Sequence, residues 1–63
     1  MLLVIEFYDG DTKLAAMRGP SSYIEAMEAA REGLLAHKAR HALVLDLGRD
    51  RRVVGIVHCD ALP

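Results

Sequence analysis

The stretch SYIEAMEAAREGLLAH, residues 22–37, decides how this chain folds. Ser22 followed by Glu25 spells a capping box, in which the serine oxygen accepts a first-turn amide and the glutamate reaches back. Pro20, just ahead, suits a helix entry. At about 100° per residue, Tyr23, Met27, Ala30 and Leu34 fall on one stripe flanked by Ile24 and Ala26. Glu25, Glu28 and Glu32 fall on the opposite side. Gly33 interrupts the helix at a cost of about 1 kcal/mol relative to alanine, and its missing side chain permits close approach to a neighbour. Lys38 and Arg40 follow where a helix carboxyl end favours positive charge.

On either side of this helix the apolar period changes to two. Residues 2–8, LLVIEFY, are rich in branched and aromatic side chains with apolar groups on both faces, the pattern of an internal strand. Leu3, Ile5 and Phe7 share one face; Leu2, Val4, Glu6 and Tyr8 share the other, which reads as the outer one. Asp9-Gly10-Asp11 signals a tight turn, and residues 12–18, TKLAAMR, follow as an edge strand despite good helix propensity. After the helix, residues 42–47 alternate Leu43, Leu45 and Leu47 against Ala42, Val44 and Asp46. A charged loop, residues 48–51, leads to a last strand at residues 53–59. The expected fold is α+β, a single domain over residues 1–63 ordered ββαββ, with a four-stranded sheet and one helix packed on one face.

One amphipathic helix covers only one side of such a sheet. The apolar fraction is 52%, high for 63 residues, and a chain this small buries a modest share of its surface. Leu2, Val4, Tyr8, Ala42 and Val44 are therefore expected to look away from the helix and to need a homodimer or another protein as cover, since monomers rarely expose large apolar patches. Val4, Tyr8 and Val44 are the candidate contact residues on that side. Glu25, Glu28 and Glu32 are the candidates for steering or for docking a basic partner, against the plain alternative of a solvated helix face. The net charge of −1 argues against nucleic acid and acidic membranes. The apolar start is cut by Glu6 and lacks a basic leader, and a lone Cys59 excludes an internal disulfide. Both features suggest a cytoplasmic setting.

Motifs for catalysis are absent, and no cofactor or metal is expected. His37 and His41 have metal-ligand spacing on a continuous helix, but no third ligand is suitably placed. His58 and Cys59 are adjacent in a strand and so point to opposite faces, which prevents a thiolate–base pair. Gly48 and Gly55 open no helix and make no phosphate cradle. Arg49, Arg51 and Arg52 lack the interleaved aromatics of a nucleic-acid platform. These readings describe a binding module rather than an enzyme.

Two resemblances add to this. The stretch 42–46, then 52–62 with Asp60 following the strand, resembles the hairpin and ribose-contacting aspartate of a CBS module. It implies an adenosine-nucleotide sensor fragment, with Asp60 on the ribose. The chain departs from that family where its next helix would begin, and lacks the usual hydroxyl residue in the phosphate-contacting turn. In size and architecture the chain is similar to small proteins of bacteriophages and mobile elements, including type I anti-CRISPR proteins. That resemblance implies an inhibitor acting by steric contact with a larger host complex, and it transfers no specific site residue.

Overall fold

A computed structural model describes residues 2–59. The element order is β1 (Leu3–Asp9), β2 (Thr12–Arg18), α1 (Tyr23–His37), β3 (His41–Asp46) and β4 (Arg52–His58), with a 3₁₀ turn at Leu47–Arg49 before β4. The fold is α+β, ordered ββαββ. All neighbouring strands are antiparallel in one sheet of order β2-β1-β3-β4. β1 is internal, as its two apolar faces require, and β2 and β4 are the edges. β2 and β3 run in the same direction with β1 between them.

Local chemistry sets each boundary. Gly10, at φ 61°, occupies the two-residue turn that joins Asp9 to Thr12. Helix α1 begins with Ser22 as its cap, whose hydroxyl accepts the Glu25 amide at 3.2 Å. The reciprocal half of the capping box does not form; the Glu25 carboxylate lies 3.4 Å from the Ser21 hydroxyl instead. The helix ends on Lys38 in the left-handed region, where its N–H meets the carbonyls of Leu34 and Leu35. Asp46 caps the 3₁₀ turn by accepting the Gly48 amide at 3.0 Å.

The core lies between α1 and the sheet. Leu3, Ile5 and Phe7 from β1 meet Ala42 and Val44 from β3, Val57 from β4, and Ala26, Ala30 and Leu34 from the helix. Gly33 stands directly over Phe7, and a Cβ there would overlap the ring. The close approach expected of this glycine is present. The helix lies over β1 and β3 and reaches β4 more lightly, where Gly55 makes room for Met27 and Tyr23.

Two sequence expectations are corrected here. Val44 and Ala42 do not look away from the helix: both are 0% exposed within the core. The reason is register. Val44 pairs with Ile5 and Ala42 with Phe7, and directly opposed residues share a face. The small Ala42 fits beside the bulky Phe7, so Leu43 and Leu45 turn outward instead. The helix is also rolled relative to its expected stripe. Ala26, Ala30, Gly33 and Leu34 are its buried residues, while Ile24 is 70% exposed. The smallest side chains form the contact because they let the helix settle onto the large residues of β1.

Candidate functional site

The outer sheet face, opposite the helix, carries the densest polar chemistry among the described residues. Cross-strand pairing arranges it in rows: Arg18, Val4, Leu45 and Val53; then Ala16, Glu6, Leu43 and Ile56; then Lys13, Tyr8, His41 and His58. Glu6 sits in the middle and is 3% exposed. Burying a lone carboxylate is costly unless it is paired and hydrogen-bonded, and here three groups converge on it. The Tyr8 hydroxyl donates to one oxygen at 2.8 Å; Lys13 Nζ and an Arg51 guanidinium nitrogen each donate to the other at 2.9 Å.

The fold brings each donor in by a different route. Tyr8 is two residues on along the same strand and so shares the face of Glu6. Lys13 arrives through the hairpin, which pairs it with Tyr8 after an extra residue, Leu14, is accommodated in β2. Arg51 comes from the turn before β4. Asp50 and Arg51 both adopt left-handed backbone, at φ 59° and 60°, and this turns the arginine back over the sheet. To reach Glu6 its stem must cross the row of Val4 and Leu45. Both apolar residues are buried although no helix or second layer lies over them. Long basic side chains thus supply part of the missing cover, alkyl stem inward and charge at the tip.

The electrostatics follow from these contacts. The Lys13 hydrogen bond, with those from Tyr8 and Arg51, outweighs the opposing effect of burial and lowers the Glu6 pKa from 4.5 to about 2. The same carboxylate raises the pKa of Tyr8 above 10.0. A group so firmly ionised is a poor proton carrier near neutral pH, so the cluster acts as a latch rather than as an acid–base pair. Tyr8 and His41 stack with ring centroids 5.2 Å apart and planes 5° from parallel, and His58 continues the row at 6.1 Å from His41.

The other half of this face is bare. Leu43 is half-buried, and Ile56 is 51% and Val53 44% exposed. They form an apolar strip along β3 and β4 beside the latched residues. No exposed acid lies on the strand positions of this face; its outward charges are Lys13, Arg18 and Arg51.

The candidate contact residues from the sequence fall in three places. Val4 and Tyr8 lie on the outer face, Val4 buried and Tyr8 inside the latch. Val44 is in the core. Glu25, Glu28 and Glu32 are exposed on the helix, on the opposite side of the molecule, and do not join the other residues in one site. They share that surface with Ile24 and Leu35, the latter 72% exposed. The sheet separates His37, beside Phe7 at 4.9 Å, from His41, beside Tyr8. The described residues contain no group of three or more His, Cys, Asp or Glu able to hold a metal ion. Asp60, the ribose residue of the CBS resemblance, lies outside the described residues.

A groove of about 710 Å³ opens at the carboxyl end of the helix, with Leu34, Leu35, Lys38, Arg40, His58 and Cys59 among its walls. Among the described residues no carboxylate lines it; Arg40 is held at its rim by Asp9 at 3.1 Å. No described helix is long and apolar enough to cross a membrane. No family model, curated protein or solved structure matches the chain.

The latch of Glu6, Lys13 and Arg51 was absent from the sequence reading. A single acid inside an apolar strand was the available signal, because a buried carboxylate demands donors. The hairpin register would then have offered Lys13. Arg51, 45 residues away, had no comparable signal.

Proposed function

We propose that this chain is a non-enzymatic protein-binding module that acts by occupying a surface of a larger partner in the cytoplasm. The contact surface is the outer sheet face. The observation that carries this reading is the open strip of Val53 and Ile56, with half-buried Leu43, on a face where Val4 and Leu45 are already buried beside the Glu6 latch. Aliphatic side chains left open beside rigid, satisfied polar groups are the arrangement of an interface centre with a charged rim. Steric inhibition of a host complex, of the phage or anti-CRISPR-like kind, requires nothing from the chain beyond such occupancy. Glu25, Glu28 and Glu32, remote from the strip, serve approach to a partner rather than the contact itself.

The test compares proteins captured by the tagged wild type, by Ile56→Lys and by a Glu25→Gln, Glu28→Gln, Glu32→Gln variant, each first shown to melt like the wild type. A partner retained by the wild type, lost with Ile56→Lys and captured more slowly by the glutamine variant supports the assignment. Equal capture by wild type and Ile56→Lys removes the outer face from the function.

A further inference from the structure

The β3–β4 ladder sets His41 directly opposite His58, a pairing that their distance apart in the chain conceals. The pair is of the closer kind. The Cys59 amide donates to the Arg40 carbonyl at 2.8 Å, so the ladder bonds flank His41 and His58 rather than join them. Partners of this type stand about 4.5 Å apart at Cα with their side chains on one face. Both imidazoles rise from the outer sheet face, with ring centroids 6.1 Å apart and planes tilted by 38°. His41 is half-buried and His58 is exposed.

We infer that these two imidazoles form a binding site for a divalent ion of the zinc, nickel and copper group. Imidazole nitrogen suits those ions. Zinc–nitrogen bonds of about 2.0–2.1 Å place each ring centre about 3.2 Å from the metal, and two rings on one tetrahedral ion then have centres about 5.2 Å apart. The observed separation of 6.1 Å is about 1 Å wider, a difference that rotation of the exposed His58 side chain closes without backbone movement. His41 is already positioned. Tyr8 stacks on it with centroids 5.2 Å apart and planes 5° from parallel, and the Tyr8 hydroxyl is tied to Glu6 at 2.8 Å. A ligand held in this way loses less freedom when it binds. The local charge also permits a cation, because Lys13 and Arg51 are drawn to Glu6 and Arg40 to Asp9. Water completes the coordination shell, so the site is open rather than a closed structural one.

The site is independent of the apolar strip and of any captured protein. Zinc chloride is titrated into the full chain under reducing conditions, with heat of binding and thermal melting as readouts. The wild type is expected to take one ion per chain and to melt at higher temperature as zinc is added, since the ion binds the folded arrangement. His58→Ala, an exposed change that leaves the core untouched, is expected to weaken binding by about tenfold or more and to abolish the melting shift. His41→Gln should do the same. His37→Ala and Cys59→Ser should bind as the wild type does. Magnesium, which prefers oxygen ligands, should give no shift. A wild type that takes up no zinc overturns the site. So does undiminished binding by His58→Ala, or binding that is lost in Cys59→Ser or His37→Ala, or a magnesium shift equal to that of zinc.

Discussion

On the helix side of the sheet, Ile5, Phe7 and Val44 are sealed by small residues pressed against them. On the other side, Val4 and Leu45 are buried beside side chains that converge on one carboxylate. The first closure depends on shape and the second on charge. A sheet with a single helix can still shield part of its second face, provided that long basic side chains lie across it with an acid to hold them. The closure is local. It ends where the reach of Arg51 and Lys13 ends, and Leu43, Val53 and Ile56 are left open.

The sharpest way to break this contrast is to remove the ring that organises the packed side. Phe7→Ala should cost about 3–5 kcal/mol, because the cavity under Gly33 lies within closely packed backbone and cannot collapse. In a domain this small that approaches the whole stability, and urea unfolding at neutral pH should find the variant largely unfolded. A loss below about 1 kcal/mol would mean that the packed side yields more readily than the charged one.

Glu6→Gln addresses the charged side and should cost less, about 2 kcal/mol. Lys13 and Arg51 are 49% and 60% exposed and recover water when released, and a glutamine oxygen still accepts from Tyr8. The pH dependence separates the two closures. Because the folded pKa of Glu6 is about 2 and its ordinary value 4.5, the folded state binds fewer protons than the unfolded state between those values. The stability from Glu6 is therefore complete above about pH 4.5 and is lost as pH falls toward 2. Melting curves across that range should converge for wild type and Glu6→Gln at the acid end. Curves that stay parallel would show that the carboxylate contributes nothing through its charge. In the same variant the Tyr8 phenol should titrate at lower pH than in the wild type, because the neighbouring anion is gone.

The smallest effect is expected outside both closures. Ser22→Ala removes the cap that accepts the Glu25 amide and should cost about 1 kcal/mol by thermal melting, with no change in acid sensitivity. A changed acid limb would tie the helix entry to the latch and blur the contrast.

The ββαββ order was legible because each element carries its own local signal: alternation in the strands, Asp9-Gly10 at the turn, and Ser22 with Glu25 at the helix start. Even β2 was recoverable, since a tight turn beside an apolar strand outweighs the helix propensity of Leu14, Ala15 and Ala16. Faces were harder. Ala42-Leu43-Val44-Leu45 is apolar at every position, so its alternation does not say which side meets the helix. Only the pairing of Val44 with Ile5 decides it. The helix roll was hidden similarly, because hydrophobicity favours Ile24 whereas packing over Phe7 favours Gly33 and the alanines. The candidate site was half visible, as Val4 and Tyr8 do lie on the outer face. Arg51 was not, because its reach depends on the left-handed turn it occupies.

The strand order has a kinetic consequence. The β1–β2 and β3–β4 ladders are each closed by a short connection, whereas the ladder between β1 and β3 must span the entire helix. Closing that long loop carries the entropy that neither hairpin meets alone, so seam formation is expected to set the folding rate. During synthesis the amino-terminal hairpin emerges with Leu3, Ile5 and Phe7 unshielded and waits for β3. Until that strand arrives, the nascent segment is the form of this chain most exposed to aggregation and to chaperones.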